Sequence, residues 1–188
     1  MATFLQTARE TAQTYKKQII TGCIIAAGII VISFIAWAIY NGTPKVVYQP
    51  ANACDLLTLS EAQTLLGNKA INGNTSKPVI SGNVATSNCT YSDLNVDQNS
   101  VIVAAVVVRS AVNDNGVQQN KSQFVTGRPV DGTETVQGVG DSAYFNEAKG
   151  QLNILDGRNW IIVSYGVGST PQANKIDDDV ALAHKVLQ

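Results

Sequence analysis

The stretch Val101-Ile102-Val103-Ala104-Ala105-Val106-Val107-Val108 is an almost unbroken run of β-branched and small apolar residues. It is too short to span a membrane, and such side chains fit a pleated sheet better than a helix. An apolar run without alternation predicts a central strand buried on both faces. On its C-terminal side, Asn113–Phe124 opens on Asn and Asp and places Val117, Lys121 and Phe124 at helical spacing, which predicts a helix. Ser142–Asn146, Gln151–Leu155 and Trp160–Tyr165 then read as a meander, with turns at Glu147–Gly150 and at Asp156-Gly157-Arg158-Asn159. A last helix fits Gln172–Leu187, where Ile176, Val180, Ala183 and Leu187 recur along one stripe. Pro171 suits its first turn, and Asp177–Asp179 lie close to its positive end.

On the N-terminal side, Thr58-Leu59-Ser60-Glu61 is a capping box, in which the Thr hydroxyl accepts from the Glu61 amide and the Glu carboxylate reaches back. It predicts a helix over Leu59–Leu66, with Ala62, Leu65 and Leu66 as its apolar face and Gly67 as its stop. The intervening KAINGNTSKPVISGNVATSN (Lys69–Asn88) is rich in Gly, Asn, Ser and Thr. It is expected to be mainly loop, with room for a strand near Pro78–Ile80. The fold expected from these elements is α+β, an antiparallel sheet with helices packed on one face, preceded by one transmembrane helix.

That helix is read from IITGCIIAAGIIVISFIAWAIY (Ile19–Tyr40), which carries no charge. Its 22 residues make a helix of roughly 33 Å, enough for a hydrocarbon core of about 30 Å. Tyr15 just before the run, and Trp37 and Tyr40 near its end, suit the two membrane interfaces. Arg9, Lys16 and Lys17 against Glu10 precede it, which predicts a cytoplasmic N-terminus and an extracytoplasmic remainder. Of the 13 basic and 14 acidic residues, three and one lie before the run, so the part beyond it carries −3. The expected organisation is a cytoplasmic segment 1–18, an anchor 19–40, an extended spacer 41–52 containing Pro44 and Pro50, and a folded domain 53–188.

Processing could change this picture. Ala36-Trp37-Ala38 has the A-x-A form read by signal peptidases and leaves cleavage after Ala38 open, although the run exceeds the ~7–15 residues of a signal core. Ile20-Thr21-Gly22-Cys23 spells a lipobox, but Cys23 precedes the apolar run such a site must follow, and a prepilin cut there lacks the expected Glu at Ala27. Gly22 and Ala26 form a small-xxx-small pair that permits close helix packing.

Cys54 and Cys89 are the only cysteines outside that run. An even pair in an oxidising compartment predicts a disulfide, because no C-x-x-C and no further ligand pattern supports a redox or metal site. Composition agrees with export: 45% hydrophobic but only 14% charged residues, with the deficit filled by Ser, Thr, Asn, Gln and Gly. A net charge of −1 argues against a nucleic-acid partner, which would need a basic face.

Several short motifs together carry a resemblance. They are Cys54-Asp55-Leu56-Leu57-Thr58 leading to Leu65-Leu66-Gly67, Cys89-Thr90-Tyr91, Gly138-Val139-Gly140-Asp141-Ser142-Ala143-Tyr144, and a final Ala-containing helix. From about Ala53 to Gln188 the chain is similar to a family of cell-envelope lipoproteins of unknown function from actinomycetes and related bacteria. It departs from that pattern at the front, where an apolar run replaces the lipid-anchored cysteine. The resemblance implies a location and a fold, and no catalytic residue.

No catalytic, cofactor or metal site is expected. His184 is the only histidine and suits the C-terminal end of its helix, where exposed carbonyls accept from it. Asp177-Asp178-Asp179 reads as a solvated helix start, since adjacent helical residues point in different directions. Gly166-Val167-Gly168-Ser169-Thr170-Pro171 lacks the third glycine and the lysine of a phosphate cradle and reads as a turn, with Ser169 or Thr170 as helix cap. Gly138-x-Gly140 leads into a strand and reads as a turn or bulge. Asn-x-Ser/Thr sites at Asn41, Asn74, Asn88 and Asn120 matter only in a eukaryotic secretory route. The expected function is a membrane-anchored extracytoplasmic module that is not an enzyme and binds a protein or small ligand. The alternatives are a structural subunit of a surface assembly and, ranked last, an extracytoplasmic hydrolase.

Overall fold

The computed structural model describes residue 33 and residues 46–93, 101–168 and 174–188. Apart from residue 33, the expected anchor and the interface residues Tyr15, Lys16, Lys17, Trp37 and Tyr40 lie outside the described residues. Among the described residues no helix is long and apolar enough to cross a membrane. The chain divides between Lys45 and Val46, so residues 46–52, expected as spacer, belong to the folded module.

In chain order the module runs α1 (Ala53–Leu56), α2 (Leu59–Leu66), β1 (Ala70–Ser81), β2 (Val84–Asp93), β3 (Ile102–Ala111), α3 (Asp114–Thr126), β4 (Thr133–Val136), β5 (Ser142–Asn146), β6 (Gln151–Asp156), β7 (Asn159–Val167) and α4 (Ile176–Val186). The strands form one seven-stranded sheet in the order β1-β2-β3-β7-β6-β5-β4. Every neighbouring pair is antiparallel. Two meanders, β1–β3 and β4–β7, are thus joined through the β3–β7 ladder, where Val106 faces Val163 and Val108 faces Ile161.

The β-branched run does become the central strand, but its two faces differ. Ala104, Val106 and Val108 are fully buried, while Ala105 and Val107 between them are half-buried. The buried set continues across the sheet through Ile161, Val163, Leu152, Ile154 and Phe145, and α1, α2 and α4 close it with Ala53, Leu66, Leu182 and Val186, joined by Leu57 just after α1. Among the described residues the opposite face carries only α3. Its Phe124 sits 5.0 Å from the Tyr144 ring and 6.2 Å edge-on to Trp160, with Leu155 completing the cluster. The expectation of helices on one face is therefore corrected: strand side chains alternate, so Tyr144 and Phe145 serve different clusters on opposite faces.

Lys69–Asn88 is likewise corrected. It is nearly all strand, because β1 and β2 form a long hairpin turning at Gly82 with φ +63°. The hairpin escapes pattern reading because β1 is an edge strand exposed along both faces, so no apolar alternation marks it. Two register shifts, at Asn72/Thr75 and Ser76/Val79, interrupt its ladder. β4 was not expected either; it is four residues long and covers only the outer edge of β5.

Helix starts follow local chemistry where the sequence marks them. Thr58 and Glu61 form the expected capping box, with the Thr58 amide donating to Glu61 Oε2 at 2.7 Å. Asn113 caps α3 by accepting from the Gly116 amide at 2.9 Å. α4 begins at Ile176 with Lys175 as an N-cap that makes no side-chain bond; Ser169 and Thr170, expected as its cap, lie outside the described residues.

α3 meets the sheet through Gly116, Asn120 and Phe124, one turn apart. The fully buried Asn120 amide donates to the carbonyls of Arg109 at 2.9 Å and Arg158 at 3.0 Å, tying β3 to the β6–β7 turn. That burial also removes Asn120 as a glycan acceptor. A Cβ at Gly116 would overlap the Asn83 carbonyl oxygen and press on Ala111. Gly116→Ala, which in an open helix gains up to about 1 kcal/mol, is therefore expected to destabilise the module by about 2 kcal/mol, read as a lower denaturant midpoint. An unchanged or raised midpoint would contradict this seating of α3.

Candidate functional site

Beside Asn120 under α3, two constellations of buried polar groups stand out. The first lies where the chain enters. β2 turns Ser87, Cys89 and Tyr91 toward the main core, and all three are buried. Ser87 Oγ accepts from the Ala53 amide at 2.9 Å and donates to the Ala51 carbonyl at 3.1 Å. The Ala51 amide in turn donates to Ser110 Oγ at 3.0 Å. Cys89 forms a disulfide with Cys54, with Cα atoms 5.1 Å apart. Tyr91 donates its hydroxyl to the Leu57 carbonyl at 3.0 Å. Burial first, and Glu61 second, push the Tyr91 phenol above its ordinary pKa, so it keeps the proton this bond requires.

Residues 46–52 are pinned as well. The Tyr48 amide donates to the Val112 carbonyl at 3.0 Å, and its hydroxyl donates to Asp114 Oδ1 at 2.6 Å. The Arg158 guanidinium lies 5.1 Å from the Tyr48 ring centroid and donates to the Gln49 carbonyl at 3.0 Å.

The second constellation surrounds the start of α4. Asp177 and Asp178 are exposed as expected, but Asp179 is fully buried, which corrects the reading of all three as a solvated start. Its Oδ1 accepts from the Tyr165 amide at 2.5 Å, and its Oδ2 is buried without a partner. Asn174 donates to the Gly150 carbonyl at 3.0 Å and to Ser164 Oγ at 3.1 Å, while its own Oδ1 is also unpaired. Ser164 Oγ donates to the Gly150 carbonyl at 3.1 Å. The buried stripe of α4 is Asp179, Leu182, Ala183 and Val186, turned from the expected Ile176, Val180, Ala183, Leu187 line. The signal that could have exposed Asp179 is its spacing, three before Leu182 and four before Ala183.

Desolvation pushes the Asp179 carboxyl up to about 7, with Asp178 adding to the rise and the Tyr165 amide opposing it. Chemically, this arrangement can take up or release a proton near neutrality while holding α4 against β7. Ser164 is engaged with Asn174 and Gly150, and His184 is exposed on the last turn of α4. Among the described residues no three His, Cys, Asp or Glu side chains gather as a metal set. Gly138 and Gly140, at φ +77° and +58°, form a turn packed on the β6–β7 hairpin, with the Asp141 amide donating to the Leu155 carbonyl at 2.8 Å.

The disulfide joins the two predicted cysteines, and the constellation at Asp179 was not predicted. No family model, curated protein or solved structure matches the chain.

Because the Asp179 pKa is raised from 3.8 to about 7, its unfolded form ionises first, and stability should fall as pH climbs between those values. Asp179→Asn keeps the acceptor for Tyr165 and removes the charge. Thermal melts should show it about 1–3 kcal/mol more stable than the parent above pH 7, with a flatter profile below. A parallel profile would sink this account. For the bridge, closing a separation of 35 residues predicts that the Cys54→Ala/Cys89→Ala pair loses about 4 kcal/mol and melts roughly 10 °C lower.

Proposed function

We propose that the chain is a single-pass cell-envelope protein, anchored through Ile19–Tyr40 with its N-terminus in the cytoplasm. On this reading Val46–Gln188 stands outside as a binding module for another envelope component, a surface partner or a small ligand. The observation that carries it is the Cys54–Cys89 bridge, since bridges of this kind persist in oxidising compartments. The uncharged run, the cationic residues ahead of it and the Ser/Thr/Asn-rich composition support the same placement. The likeness of residues 53–188 to envelope lipoproteins fits it too.

Binding is favoured as the role because the fold leaves half of one sheet face lightly covered. Beyond α3, Val103, Ala105, Val107 and Ile162 are all half-buried. The Gly22/Ala26 spacing favours a second reading, a laterally packed structural subunit, which a monodisperse monomer in mild detergent would remove.

Protease added to sealed, intact cells should digest the module and leave a short membrane-held fragment. Digestion only after lysis would overturn the topology. In the same preparation, alkylation without reductant should leave Cys54 and Cys89 unlabelled.

A further inference from the structure

Four exposed apolar side chains of the module, Val46, Val47, Val79 and Ile80, gather at one end of the sheet. Backbone bonds place them there. The Tyr48 amide reaches the Val112 carbonyl at 3.0 Å, and the Val112 amide reaches the Asn83 carbonyl at 3.0 Å. The chain entering at Val46 therefore lies beside the β1–β2 turn. Val79 and Ile80 pair with Thr86 and Ala85 just before that turn. Being adjacent in a strand they point to opposite faces, yet they are 66% and 63% exposed, so β1 is uncovered on both faces here, while Val84 and Ala85 across the turn stay buried.

The tip has a chemistry of its own. From Pro78 to Asn83 it carries no charge, and Lys77 flanks it. Val47 beside it is 81% exposed. Clustered apolar exposure with cations at its margin, Lys77 beside β1 and Arg158 at the Tyr48 ring, suits an interface of acyl chains below and phosphate above, where a lysine stem can lie along the apolar layer. Between Tyr40 and Val46 the chain advances six residues, which can span at most about 20 Å.

We propose that the β1–β2 hairpin tip, with Val46 and Val47 beside it, dips into the outer lipid interface. The inference rests on the anchored reading above. Asp114, which is exposed and engaged by the Tyr48 hydroxyl, and the half-buried Asp156 lie at the same end. Lipid contact is thus confined to the side of β1, and the β5–β6 turn at residues 147–150 points away, at the opposite end of the sheet.

The test uses the full chain in phosphatidylcholine vesicles, with Cys23→Ala and the Cys54–Cys89 bridge retained. An environment-sensitive fluorophore is placed through Val79→Cys, through Ile80→Cys or, as the distal control, through Ala148→Cys. Lipids bearing a nitroxide near the headgroup should quench the fluorophore at 79 and 80 at least about twofold more than at 148, with a blue-shifted emission. Equal quenching at the three positions, on chains that float with the vesicles, overturns the tip contact and leaves the anchor standing. Chains that fail to float overturn both. All three substituted positions are exposed, and an alkylation-resistant disulfide in each variant reports that the module has folded.

Discussion

Every second side chain of β2 from Ser87 to Tyr91 holds one point of the segment that crosses it. A hydroxyl receives the Ala53 amide, a sulfur bonds Cys54, and a phenol reaches the Leu57 carbonyl. Unpaired, each buried polar group would cost about 1–3 kcal/mol. Held together, they bring Leu57 and α2 onto Val106 and Val108 and so close the main core over β3. The rest of the fold presumes this crossing. α1 is only four residues long and has little cohesion of its own, so its position comes from β2.

The two faces of the sheet solve the burial problem differently. One is covered by three short helices and is almost wholly apolar. The other relies on a single polar helix, seated through a glycine and an asparagine as well as Phe124. Cations supplement the aromatic cluster there: the Arg109 guanidinium stands 5.8 Å from the Trp160 ring and that of Arg128 5.3 Å from Tyr144. Arg128 also donates to Thr133 and Thr135, binding the edge strand β4 to the turn after α3. This polar seating leaves the centre of that face half-covered, the feature on which the binding role leans.

Much of the architecture was legible because it is written in local chemistry. The meander β5–β7 follows from alternation and glycine turns, α2 from its capping box, and β3 from its β-branched run. What was not legible depends on partners distant in the chain. β1 has no apolar face to betray it, since its neighbours exist on one edge only. Ser87 and Ser110 look like loop serines until β2 and β3 pair and the incoming backbone needs a donor and acceptors. Asp179 looks solvated beside Asp177 and Asp178 until the orientation of α4 is known. Of the candidate site residues, the cysteine pair could be read from count and compartment. The proton-holding carboxyl required the tertiary fold.

The entry staple also has a mechanical meaning. Tension on the backbone ahead of Val46 would first strip away the bonds at Tyr48, Ala51 and Ala53, none of them covalent. That releases eight residues, about 30 Å of slack. At Cys54 the load then passes through the sulfur bridge into the interior of β2, which is laddered on both sides by β1 and β3. The module thus carries a short shock absorber with a fixed stop, and unravelling from its N-terminal end is arrested at Cys54, after Ala53 leaves the core and before α2 and the sheet are disturbed.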